Sequence, residues 1–259
     1  DTLLTGGVSV NFNMFHGGTT FCFMNGANYN KEHPILPQPS TYDYDAPLDE
    51  AGRPTPKYMA IREVISKHLG SGATVPDVPP VNKIIAFPAF KLSEVANLYT
   101  LLGKPTISDS LLSMEDLNQG YGYILYRTIV KKPAKGLLKI NGLRDYALVF
   151  VNKTRVAVLD RRIGQDSVEV AITDPNSTID IFVENLGRIN YGKRMTDNRK
   201  GITGNVMLAG EELRGWSMYG LPFNRISNKR FVGKVLEDVP VLRRGFFTLD
   251  ETGDTFLDM

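Results

Sequence analysis

From residue 121 to residue 219 the chain is a series of short β-branched and aromatic runs, and this series restricts the fold more than any other feature. The runs are 121–130 (YGYILYRTIV), 137–140, 146–152, 155–159, 168–172, 178–183, 205–208 and 216–219. Asn141-Gly142, Asp174-Pro175-Asn176 and Leu186-Gly187 separate several of them, and these are turn-forming residues. Many short strands at about 8–12-residue spacing predict a β-sandwich or barrel. Hydrophobic residues make up 42% of the 259-residue chain, enough to fill such a core.

The N-terminal part has a different texture. Gly7–Phe15 alternates, with Val8, Val10, Phe12 and Met14 on one side and Ser9, Asn11 and Asn13 on the other. Period two predicts a strand. His16-Gly17-Gly18-Thr19 then signals a turn. A helix is predicted over 55–69. Thr55 is its N-cap, Pro56 stands at the first helical position, and Tyr58, Ile61, Val64, Ile65 and Leu69 recur at helical spacing. Gly70 is expected to stop it. Strand and helix are separated by roughly 40 residues, 16–54, where βα connections usually take about 2–6. A strand, a long loop and a helix make one unit of a βα fold, in which the loops after the strands build the active site. Residues 71–112 form a connector with a proline-rich stretch at 74–80 and a short helix expected at 92–102. Residues 226–259 read as a linker and the start of a further β unit. The opening at Asp1 lacks a signal-peptide pattern, and 254–258 reads like an opening strand. Both ends predict a fragment.

Composition excludes several functions. With 30 basic and 28 acidic residues the net charge is +2, so neither a nucleic acid nor an anionic membrane is an expected partner. No apolar run approaches the ~20 residues of a membrane span. The single cysteine, Cys22, allows no internal disulfide and has no neighbouring base. His16, His33 and His68 show no metal-ligand spacing, and no cofactor or metal is expected. The basic stretch 187–201 interleaves aromatic and charged residues, as a nucleic-acid reader would, but a solvated loop between strands accounts for it better.

The loop 16–54 contains QPSTYDYDAPLDEAG (38–52). If 41–45 is extended, Tyr42 and Tyr44 share one side, and Asp43 and Asp45 the other. Two tyrosines offer ring faces and hydroxyls together, the mixture that sugars require. The tyrosines serve equally well to pack the loop onto the body of the fold, with the aspartates capping turns. The aspartates would lie about 7 Å apart by strand rise, within the range used by glycosidases. Residues two apart on one strand approach a substrate from the same side, so Asp43 and Asp45 are rejected as a catalytic pair. Asn25-Gly26 is first a turn signal, with ligand contacts from Asn25 or Asn28 secondary.

MFHGGTTFCFMNGAN (14–28) followed by QPSTYDYDAPLDEAGRPTPKYMAIREVI (38–65) closely resembles the end of the barrel domain of β-galactosidases of glycoside hydrolase family 35. GYILYRT, NGLRDYALVFVN and VENLGRINYG resemble pieces of that family's first β-domain, and GDTFLDM (253–259) the beginning of its next, galactose-binding-like domain. The resemblance implies α/β plus all-β architecture: the last βα unit of a (β/α)8 barrel at 1–70, a connector at 71–112, a β-sandwich at 113–225, and a linker with the truncated start of a second sandwich at 226–259. It implies a retaining hydrolase removing terminal β-galactose, with a galactoside as its partner and an exported location. The family's pocket tyrosines fall on Tyr42 and Tyr44, with Tyr44 nearer the sugar. Asn13 stands where many members carry tyrosine, so an amide replaces an aromatic wall.

Both family glutamates belong to earlier barrel strands, and neither Glu32 nor Glu50 matches them. No catalytic residue is therefore expected within 1–259, and the chain alone is expected to be inactive. The alternative is a non-catalytic carbohydrate-binding or structural β module. Residues 1–70 are expected to be weakly stable by themselves, and 113–224 to fold.

Overall fold

The computed structural model describes residues 1–232 and 234–256. The chain divides into two compact units. One gathers residues 1–22, 39–89 and the described residues from Phe247 onward; the other gathers 23–38 and 90–246.

The larger unit is built around two main antiparallel sheets. Across the six-stranded sheet the order is Thr106–Ser108, Trp216–Leu221, Tyr123–Val130, Ser177–Glu184, Tyr146–Val151 and Thr154–Asp160. Across the four-stranded sheet it is Ser167–Ile172, Ala134–Ile140, Val206–Leu208 and Glu211–Glu212. All eight expected runs overlap these strands, most to within a residue or two at their ends. The pleat accounts for the packing: alternate residues of a strand point to opposite faces. Ile124, Tyr126, Ile179, Ile181, Ala147 and Val149 join a core with Leu138, Ile140, Val170 and Val206 of the other sheet. Leu125, Phe150, Phe182 and Leu221 form a second cluster with Leu98 and Val239. The middle strands are buried on both faces, and their sequences therefore read as nearly continuous apolar runs.

Turn chemistry follows the sequence. Gly142, Asn176 and Gly187 all have positive φ, the conformation that Gly and Asn adopt most readily. The expected helix at 92–102 is corrected. Glu94–Asn97 is a strand paired with Val241–Arg244, and only Leu98–Leu101 makes a helical turn, capped by the Asn97 side chain. Pairing in register with a distant strand overrides a weak local helical pattern.

In the smaller unit the helix runs Pro56–His68, with Tyr58 N–H donating to the Thr55 hydroxyl at 3.3 Å. Gly70 is not its stop: the chain leaves through Leu69 in an extended conformation. None of the helix is buried. The strand expected at 7–15 forms no ladder among the described residues; Val8, Val10 and Phe12 stay 38–50% exposed. A strand requires a neighbour for its backbone N–H and C=O groups. A single helical turn, Thr2–Thr5, precedes it. Of the expected opening strand at 254–258, Asp254 makes a backbone bridge to Ile84, and Leu257 and Asp258 lie outside the described residues.

Candidate functional site

The tyrosine loop is built by a backbone zipper within the smaller unit. Thr20 N–H donates to Ser40 O at 2.7 Å, Tyr42 N–H to Gly18 O at 3.0 Å, and Leu48 N–H to Phe15 O at 3.1 Å. These bonds lay residues 15–20 against 40–48. Gly17 is where the two stretches come closest: a Cβ there would sit 1.6 Å from the Tyr42 carbonyl oxygen. Any side chain would push the stretches apart.

Tyr42 and Tyr44 come together as expected from their spacing, but by another backbone route. Residues 41–45 are not extended throughout. Tyr44 and Asp45 have φ of 59° and 48°, and Ala46 N–H closes the turn onto Asp43 O at 3.2 Å. Left-handed geometry is unfavourable for residues bearing a Cβ. Here Lys57 holds it, with Nζ on the Asp45 carbonyl and 2.6 Å from Asp45 Oδ2. The tyrosine ring centroids are 5.5 Å apart and tilted by 43°. Both rings are exposed, Tyr44 at 65%. The pair therefore presents apolar faces beside two hydroxyls. Asn13 is exposed, and no described hydrogen bond ties it to either tyrosine.

Three of the carboxylates around the pair are engaged. Asp49 Oδ1 accepts from the N–H groups of Ala51 and Arg53 at 2.9 and 2.8 Å. Asp45 pairs with Lys57. Glu50 Oε1 accepts from Tyr42 N–H at 3.1 Å, and its carbonyl oxygen lies 3.2 Å from His16 Nε2. Nothing in the local sequence marks Glu50, because its partner stands eight residues away across a turn.

Helix and N-terminal residues of the same unit line a cavity of about 390 Å³. Leu3, Val10, Phe12, Ile61, Val64 and Ile65 form much of its wall. Asp1 and Lys57 are the charged residues of a lining that is otherwise apolar.

The larger unit contains a charged network that sequence reasoning missed. Asp145 is fully buried. Its Oδ1 is 2.7 Å from Arg161 Nη1, its Oδ2 is 2.6 Å from Lys200 Nζ, and Leu186 N–H donates to it at 3.1 Å. Burial depresses the Lys200 pKa against the opposing pull of Asp145. Glu115 accepts from Lys200 N–H and pairs with Arg188 at 2.6 Å. Burial pushes the Glu115 pKa up, but the bonds from Lys200 N–H and Arg188 outweigh it and hold the carboxyl below its ordinary value. The stretch 187–201 is a solvated loop only in part: residues 193–196 are exposed, as expected, while Ile189 and Lys200 at its two ends are buried. Ile189–Tyr191 pairs in parallel with Ala27–Asn28, which in turn pairs with Leu36–Pro37. Asn198 bonds both the N–H and the carbonyl of Ile189 at 3.0 Å. A lysine in a basic run carries no local sign that it will be buried.

Beside this network, Glu184 lies 3.3 Å from the Tyr123 hydroxyl. Burial raises both pKa values, that of Tyr123 to about 12.

Comparison with known proteins gives two matches in series. The model for glycosyl hydrolases family 35 matches residues 1–68, and that for the first all-beta domain of beta-galactosidase matches 112–222. The chain is 42% identical over 260 residues to a beta-galactosidase of Xanthomonas manihotis, covering 99% of this chain and 43% of that protein. It is 32% identical to beta-galactosidase 1 of Dictyostelium discoideum, again with 99% and 43% coverage. Beta-galactosidase-1-like protein 2 of Homo sapiens is 35% identical over 88% of this chain and 36% of its own length. The chain spans less than half the length of these curated relatives.

Proposed function

The chain belongs to glycosyl hydrolases family 35 as a partial chain, and from that premise we propose that the protein of which it forms part removes terminal β-D-galactose from galactosides with retention. The observation that carries the reading is the Tyr42–Tyr44 pair, held in the segment matched by the family model. Ring faces stack on the C–H face of a sugar, and the phenols supply directed hydrogen bonds. Tyr44, the more exposed of the two, is assigned the closer contact, and Asn13 the edge of the same subsite.

In this reading residues 1–70 end a (β/α)8 barrel, 71–112 connect, 113–225 form the sandwich, and 226–259 lead into a second β-domain. Retention requires two carboxyl groups about 5–5.5 Å apart across the scissile bond. Neither Glu32 nor Glu50 matches the family's catalytic glutamates, which belong to earlier barrel strands, so the resemblance assigns the acid/base and nucleophile to the part of the protein that precedes residue 1, and the chain by itself to inactivity. An exported location accompanies this assignment. No described helix is long and apolar enough to cross a membrane.

The test compares the full reading frame with residues 1–259 on a chromogenic β-galactoside. The full protein is expected to turn over with retention, and 1–259 to match a heat-killed control. Turnover by 1–259 would overturn the placement of the catalytic pair. A full protein that binds galactose without turnover would indicate a binding module instead.

A further inference from the structure

We propose that Glu50 is a positioning residue for the sugar subsite, acting through the backbone of Tyr42. The proposal rests on the galactosidase reading above and deepens it. Tyr42 N–H lies between two acceptors, the Gly18 carbonyl at 3.0 Å and Glu50 Oε1 at 3.1 Å. The first belongs to the backbone zipper and would persist in any variant at position 50. The second is the sole side-chain acceptor described on that N–H, and it is charged, so it makes the stronger class of hydrogen bond.

Glu50 is anchored on its other side. Its carbonyl oxygen is 3.2 Å from His16 Nε2, and Asp49, one residue earlier, ties down Ala51 and Arg53. The carboxylate is therefore presented from a fixed turn. Tyr42 in turn has its carbonyl pressed against Gly17. Its peptide is fixed by an acceptor on its N–H and by steric contact at its C=O. The exposed phenol has no such restraint of its own, so its direction derives from the backbone. Next to Tyr44, Lys57 ties down Asp45 by its carboxylate and carbonyl. The Tyr42 ring, 5.5 Å from that of Tyr44, is thus aimed by a charged side chain that need not touch the sugar.

A group that fixes a binding wall acts on ground-state and transition-state binding together, so its loss appears in KM rather than in kcat. In the full-length protein, Glu50→Ala is expected to raise KM for a β-galactoside and weaken competitive inhibition by galactose, each by about tenfold, which is about 1.4 kcal/mol. The kcat is expected to stay within about threefold. Glu50→Gln keeps an acceptor oxygen at the same reach and is expected to restore KM to within about threefold of wild type. If Glu50→Ala does not yield folded protein, Glu50→Asp, which withdraws the carboxylate by one methylene, carries the same expectation. The inference is overturned if the Ala or Asp variant leaves KM and galactose inhibition at wild-type values, or if Glu50→Gln is as damaged as they are. A wild-type protein with no galactosidase activity overturns the functional reading as well; an active wild type with an indifferent Glu50 variant overturns this inference alone.

Discussion

At the residue scale, the buried polar contacts of the larger unit have the sharpest energetic consequence. Tyr126 is fully buried, donates to the Leu112 carbonyl at 3.0 Å and accepts from Ile202 N–H at 3.0 Å. The neighbouring Gly201 has φ +88°, and a Cβ there would meet the Tyr126 oxygen at 2.2 Å. Tyr126→Phe keeps the ring but leaves the buried Ile202 N–H and the half-buried Leu112 carbonyl without that partner. A loss of about 1–3 kcal/mol in chemical unfolding is expected; an unchanged denaturation midpoint would show that water replaces the hydroxyl. The sequence placed Tyr126 within a strand, yet could not pair it with residues 14 and 76 positions away. The same limit hid Glu50, Asp145 and Lys200. Their types were visible in the chain and their partners were not. Tyr42 and Tyr44 were legible because their partners are each other.

At the element scale, strands were read well wherever their apolar runs were long, because burial on both faces leaves few polar interruptions. The two- and three-residue strands, such as Ala27–Asn28 and Ile189–Tyr191, have too few residues to show a period. The Gly7–Phe15 alternation shows the converse: the pattern is present, and among the described residues no partner strand pairs with it. The end of the Thr154–Asp160 strand provides a pH test. Asp160 accepts from Arg162 N–H at 2.8 Å and from its guanidinium at 2.6 Å, capping the turn Arg161–Ile163. The Arg162 bond holds the carboxyl below its ordinary pKa. A carboxyl depressed on folding adds stability above its unfolded value, about 3.9. That stability is lost as pH falls through the folded value. Melting temperatures measured from pH 6 downward are expected to fall less for Asp160→Asn than for wild type below about pH 4. Parallel curves would assign Asp160 no part in acid unfolding.

At the scale of the whole molecule, the two units differ in how much they bury. The middle strands of the six-stranded sheet have side chains packed on both faces, while the Pro56–His68 helix has no buried residue. Local opening free energy follows burial and protected hydrogen bonds. Hydrogen exchange on the isolated chain is expected to label the helix well before Tyr123–Val130 and Ser177–Glu184. Equal protection would mean that the helix has a cover these contacts do not supply. Fold class was legible because it depends on many residues at once. The compact units were less so, because residues 23–38 leave the unit that contains their chain neighbours. That excursion has an evolutionary consequence. A genetic crossover in the proline-rich connector would part Ala27–Asn28 from its parallel partner Ile189–Tyr191. A hybrid gene joined there would inherit a strand without its mate, so the two halves are expected to be passed on together.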